Sequence, residues 1–179
     1  VTGFEVPGPR RSYWSSEQNS DTQFLKVTKA EINALYFATH QLRRPKGWDQ
    51  PLTVGKFWRA ALVVFFNYGV DSGTVWGTAP FHEPILWRHV SWSRESPDRE
   101  VKLRSPWGWL FYRRVKTGKA FCRPMNRIVH AHIKSLMPDS PDPDAPVFFG
   151  GGSRPNVRFR MLCELAGIKP KTDVENGEQ

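Results

Sequence analysis

Apolar residues recur along this chain at two periods, and the switches between those periods divide it into elements. Ile32, Leu35, Tyr36, Thr39 and Leu42 fall at helical spacing behind Thr28-Lys29-Ala30-Glu31. In that tetrad a hydroxyl at the N-cap and a carboxylate three residues on make a capping box. The pattern predicts a helix over about residues 28–43, ending in Arg43-Arg44 before the breakers Pro45 and Gly47. Cations at that end would complement the helix dipole. Thr53 caps a second predicted helix, about 54–68, which stops at Gly69. Phe57, Trp58, Ala61, Leu62, Val63, Val64, Phe65 and Phe66 make it apolar on nearly every face, so it is expected to be the central, buried helix.

Gly73, Gly77, Pro80 and Pro84 punctuate residues 70–84, which read as irregular. Residues 85–92 alternate loosely as a small strand, and 93–104 form a polar connection. Residues 107–125 carry two apolar-aromatic runs around Lys116-Thr117-Gly118-Lys119, a hairpin signal in which glycine permits the positive φ of a tight turn. Asn126 caps a third helix, about 127–137, with Ile128, Val129, Ile133, Leu136 and Met137 expected inward. Residues 138–146 read as a stiff acidic loop, 147–149 as a short apolar run, and Gly150-Gly151-Gly152 as a hinge. Ser153 and Pro155 open a last helix on which Phe159, Leu162, Cys163 and Ala166 share a face, and Gly167 ends it. Residues 1–23 read as a linker or flexible arm, 24–170 as the folded domain and 171–179 as a frayed tail. The order is an α+β fold, a mostly helical domain with a small antiparallel sheet.

Charge changes the picture more than composition does. The chain of 179 residues has an ordinary apolar share of 39%, and its 8 Trp and 12 Phe supply a sizeable core. Its 26 Lys and Arg against 17 Asp and Glu leave a net charge of +9, which favours a polyanionic partner. No apolar run is long enough to cross a membrane, and the start, Val1-Thr2-Gly3-Phe4-Glu5, has no signal-peptide pattern and no Met, as expected of an internal piece. Cys122 and Cys163 form neither a CxxC nor a zinc set and read as two buried thiols of a reducing cytoplasm.

The candidate chemistry is correspondingly narrow. His40, His82, His89, His130 and His132 lack a nucleophile motif, and His130 and His132 lie two apart on a helix, facing different ways, so no metal is expected. Gly150-Gly151-Gly152-Ser153-Arg154 before a helix could hold an anion but lacks the Gly-Lys-Ser/Thr of a phosphate loop, and a hinge explains it better. The basic set is the stronger signal. Arg113, Arg114, Lys116, Lys119 and Arg123 crowd one hairpin, with Arg88 and His89 on the preceding strand and Arg154 and Arg158 on the last helix. Trp87, Trp92, Trp107 and Trp109 interleave with them. A solvated cationic face is the plainer account of such a set. Clustering at a turn, with the net charge, favours phosphate contact.

The order of these elements resembles the catalytic domain of tyrosine recombinases, the phage-integrase family, over about residues 25–170. The residues that carry the resemblance are Val115-Lys116-Thr117-Gly118-Lys119 with Arg123-Pro124-Met125-Asn126, and the run from Arg158-Phe159 to Ala166-Gly167-Ile168. The resemblance implies DNA recombination or integration, by strand cleavage and rejoining through a phosphotyrosine, with duplex DNA as partner and no cofactor. It also implies self-association with other protomers on DNA and a cytoplasmic, nucleoid-associated setting. In that family a hairpin lysine protonates the leaving 5′-oxygen, and Lys116 matches it. The family's first catalytic arginine falls at Asp71 here, and a carboxylate there would repel the scissile phosphate. The His-x-x-Arg box and the nucleophilic tyrosine match nothing in the chain, so this polypeptide alone is expected to bind DNA without cutting it. The alternative is a DNA- or RNA-binding module that is not an enzyme.

Overall fold

Helix α2 (Val54–Tyr68) begins where Thr53 accepts a hydrogen bond from the Lys56 N–H at 3.3 Å, and ends where Gly69 turns left-handed at φ 56°. Phe57, Trp58, Ala60, Ala61, Leu62 and Val64 along it are almost wholly buried, so the core is built around α2 as its periodicity predicts. The computed structural model describes residues 28–45, 48, 52–70, 72–77, 83–113, 120–148 and 155–168. The predicted arm and tail, and the glycine hinge, lie outside these.

Helix α1 (Lys29–Ala38) opens with the predicted capping box, the Thr28 hydroxyl accepting from the Glu31 N–H and the Glu31 carboxylate from the Thr28 N–H. It stops earlier than its periodicity suggests, passing into a 3-10 turn at Thr39–Gln41. The Thr39 hydroxyl donates to the Tyr36 carbonyl, and Gly55 of α2 lies so close that a Cβ there would stand 3.2 Å from the Thr39 oxygen. Arg44 consequently does not serve the helix dipole: its Nε and Nη2 both donate to the Trp48 carbonyl and close the following loop.

Residues 70–84 are less irregular than their glycines suggest, because Ser72–Trp76 form a short helix, α3. Val75 is fully buried, and Trp76 sits against Phe57, Trp58, Phe65 and Phe148 at centroid distances of 5.4–6.0 Å. Tertiary burial holds this single turn, which is too short to show a period.

The predicted strand over 85–92 is also mostly something else. Trp87–His89 form a 3-10 turn, and only Val90–Ser91 are strand, β1. The acidic loop accounts for the difference: Trp87 N–H donates to Ala145 O, Arg88 N–H to Pro143 O and Val147 N–H to Ile85 O. The C-terminal part of the loop is therefore bonded to this stretch.

Strands β2 (Trp109–Arg113) and β3 (Ala120–Pro124) form the predicted hairpin, and the antiparallel sheet has the order β1-β2-β3. Its register runs from Trp109↔Pro124 to Arg113↔Ala120. The sheet meets the C-terminal end of α2, where the Tyr68 hydroxyl donates to Pro124 O at 3.2 Å and Tyr68 meets Phe121 edge-on. Helix α4 (Arg127–Leu136), capped by Asn126, packs on α2, and α5 (Pro155–Leu165) packs on α1. Two expected core positions face outward: Ile128 is 58% exposed and Phe159 40%. Each sits beside a residue that takes the inward place, Val129 on α4 and Leu162 one turn on from Phe159 on α5.

Gly69 and Gly108 separate backbone strain from crowding. Both have positive φ, but a Cβ at Gly69 meets open space whereas one at Gly108 would lie 2.2 Å from the Ser91 carbonyl oxygen. Gly69→Ala is expected to cost about 1–2 kcal/mol, the left-handed penalty alone. Gly108→Ala adds the displacement of β1 and is expected to cost at least about 2 kcal/mol more. Urea unfolding of both variants measures the contrast, and equal losses would contradict it.

Candidate nucleic-acid interface

The β2–β3 register puts Arg113 opposite Ala120, so Arg114-Val115-Lys116-Thr117-Gly118-Lys119 join the two strands. Arg114, Lys116 and Lys119 lie outside the described residues, as do Asp71 and Arg154. What is described is the body from which that connection departs.

A recess of about 480 Å³ lies between the 3-10 turn and the hairpin, lined by Glu83, Arg88, His89, Asp98, Phe111 and Arg113 among others. The fold thus gathers Arg88, His89 and Arg113, three of the basic residues singled out in the sequence, on one concave surface. Arg113 is exposed at the open end of β2. Arg123, half-buried on β3, holds its guanidinium 5.6 Å over the Phe121 ring, and its Nη1 donates to the Cys122 carbonyl at 3.4 Å. Arg158 belongs to a different neighbourhood, on α5, with its nearest described partner Met161.

Arg88 carries an unexpected burden. Its Nη1 donates to Asp144 and its Nη2 to Glu83, so one guanidinium ties the 3-10 turn to the acidic loop and to the segment before β1. All three side chains are exposed. A phosphate reaching Arg88 must compete with two carboxylates already in place. Nothing in the local sequence signals this, because Asp144 lies fifty-six positions away.

His89 is half-buried beside Phe111, and its Nδ1 accepts the Leu86 N–H at 3.1 Å. The remaining nitrogen, Nε2, lies 3.7 Å from a Glu83 carboxylate oxygen. Burial lowers the imidazole pKa from its ordinary 6.5, Glu83 opposes that shift and Arg88 adds to it. His89 is accordingly neutral at neutral pH and is a structural acceptor first.

The described tyrosines all pack against neighbouring rings. Tyr36 pairs its hydroxyl with His132 Nε2 at 2.8 Å, and Tyr112 stacks on Phe121 at 4.6 Å. Tyr68 donates to Pro124, and burial, with Tyr112 nearby, pushes its pKa up, so it stays protonated. His130 and His132 face different ways as their spacing predicts: His130 Nδ1 meets Trp107 O, while His132 meets Tyr36. Among the described residues no group of His, Cys, Asp and Glu could hold a metal, and no helix is long and apolar enough to cross a membrane. Cys122 is buried beside Ser96, whereas Cys163 is only half-buried.

Comparison with protein-family models, curated proteins and solved structures finds no match to this chain.

The lowered His89 pKa has a consequence for stability. The unfolded chain binds that proton more tightly than the folded protein, so the stability contributed by neutral His89 is complete above about pH 6.5 and lost as pH falls through the lower folded value. An NMR titration of the His89 ring is expected to give a pKa below 6.5, and a value above it would contradict the burial argument.

Proposed function

We propose that this chain binds duplex DNA through the β2–β3 hairpin and is the N-terminal part of a tyrosine-recombinase-type catalytic domain. One observation carries the binding proposal. Two paired strands end with Arg113 at their open end, and the six residues joining them add Arg114, Lys116 and Lys119. Like charges close together on one ribbon repel, and a bound anion offsets that repulsion; the closely spaced phosphates of duplex DNA are suited to this. Arg123 on β3 extends the same charge along the ribbon.

In a protein of this type the reaction is strand cleavage through a phosphotyrosine followed by rejoining. Lys116 would supply the proton to the leaving 5′-oxygen, for which a flexible ammonium whose pKa is lowered by neighbouring cations is suited. Asp71, at the place of the first arginine, would oppose phosphate binding at that point. Tyr36, Tyr68 and Tyr112 are each engaged in packing or hydrogen bonds, which favours binding over cutting as the role of this chain. That same observation supports the second reading, a nucleic-acid-binding module with no cleavage chemistry of its own.

Lys116→Ala and Arg114→Ala are each expected to weaken duplex binding about 3- to 10-fold and to reduce the salt slope by about one. Fluorescence anisotropy with a labelled duplex at several salt concentrations measures both. An affinity that does not change from low to moderate salt would rule out the hairpin as a phosphate contact. In a longer chain that carries a His-x-x-Arg box and a later tyrosine, Lys116→Ala is expected to slow cleavage far more than it weakens binding. Equal losses would leave Lys116 a positioning residue.

A further inference from the structure

A second cationic surface lies at the other end of α2. The sheet meets that helix at Tyr68, whereas a recess of about 530 Å³ opens at its first turn, lined by His40, Arg44, Trp48, Gly55, Lys56 and Arg59 among others. Fifteen residues separate the two ends, roughly 22 Å of helix. The recess is therefore distinct from the hairpin.

We propose that this recess binds a phosphoryl group. Four cationic or protonatable side chains converge on it, and among the described residues no carboxylate lines it or pairs with any of the four. Three of the four are held in place by uncharged groups. Arg59 donates through Nε to the Thr39 hydroxyl at 2.8 Å and lies 5.3 Å over the Tyr36 ring, which leaves its two terminal nitrogens to donate elsewhere. Arg44 spends Nε and Nη2 on the Trp48 carbonyl and keeps Nη1. His40 engages the Phe37 carbonyl through Nδ1 and keeps Nε2. Lys56 is exposed at the rim.

Leu42, Trp48, Leu52 and the start of α2 line the recess between these side chains. Gly55 lets the Thr39–Gln41 turn pack against the start of α2, since a Cβ there would meet Thr39 O at 3.2 Å. Thr53 takes the N–H groups of Lys56 and Phe57 through its hydroxyl and carbonyl, so those of Val54 and Gly55 are the first-turn donors at the positive end of the α2 dipole. A tetrahedral oxyanion accepts from guanidinium, ammonium and backbone donors at once, which a single carboxylate does less well. The volume exceeds that of a bare phosphate and falls within the range of small-molecule sites. Two sources share this chemistry, a free phosphorylated small molecule and a backbone phosphate of nucleic acid.

The test uses the whole chain and inorganic phosphate, followed by the amide signals of Gly55 and Lys56 in NMR spectra. A saturable shift in the millimolar range is expected, weakened roughly tenfold in Lys56→Glu and in Arg44→Ala. Lys56 is exposed, so its replacement leaves the core intact, and Arg44→Ala checks the result from the opposite wall. No saturable shift, or the same shift in both variants, would overturn the proposal. Lys116→Ala is expected to leave the Gly55 shift unchanged, which separates this site from the hairpin. A second arm distinguishes the sources. Loss of duplex affinity in Lys56→Glu, with phosphate competing, assigns the site to a nucleic-acid backbone. Unchanged duplex affinity beside retained phosphate binding in the parent chain assigns it to a small phosphorylated ligand.

Discussion

Helix α2 is apolar on nearly every face, and that one fact dictates where the other elements can go. Phe57 and Trp58 must be covered, and Trp76 and Phe148 cover them from segments on either side of the sheet in sequence. Burial of each such side chain is worth about 2–3 kcal/mol, enough to hold a five-residue helix that propensity alone would not form. Within α2 the only charged residues, Lys56 and Arg59, lie in its N-terminal half. Its C-terminal end is fastened to the hairpin by Tyr68, and its N-terminal end is crossed by the Thr39–Gln41 turn.

The described basic residues around the two recesses have different settings. Arg88 is shared between Glu83 and Asp144, and it fastens loops together at the surface. His89 is neutralised by burial and used as an acceptor. Arg44 and Arg59 are steadied by a carbonyl, a hydroxyl and an aromatic face, all uncharged. A guanidinium satisfied by uncharged partners keeps its full charge for an anion, whereas one already between two carboxylates does not. That difference ranks the basic residues better than their number does.

Much of the architecture is legible in the chain itself. The bounds of α2, the capping box of α1, the Asn126 cap of α4, the hairpin and the stop of α5 at Gly167 follow from rules that act within a turn or two. So does the opposite facing of His130 and His132. The readings that fail are those where local pattern competes with a distant partner. Residues 85–92 alternate like a strand, yet the acidic loop and the His89 ring draw Trp87–His89 into a 3-10 turn and leave only Val90–Ser91 as strand. Ile128 and Phe159 fit a helical face by spacing but point outward because Val129 and Leu162 take the buried places.

The candidate sites divide in the same way. Charge density on the hairpin belongs to the sequence, because consecutive residues on a ribbon stay together in any fold that keeps the ribbon. Which other cations join it does not. His40, Arg44, Lys56 and Arg59 are spread over two helices and a loop, and only the packing of the Thr39–Gln41 turn on Gly55 brings them around one recess. Asp144 reaches Arg88 only through the path of a loop fifty-six residues on. Local chemistry determined the elements and the sign of the charge. Long-range contacts, whose partners carry no mark of each other in sequence, decided which charges are already neutralised and which still face an anion.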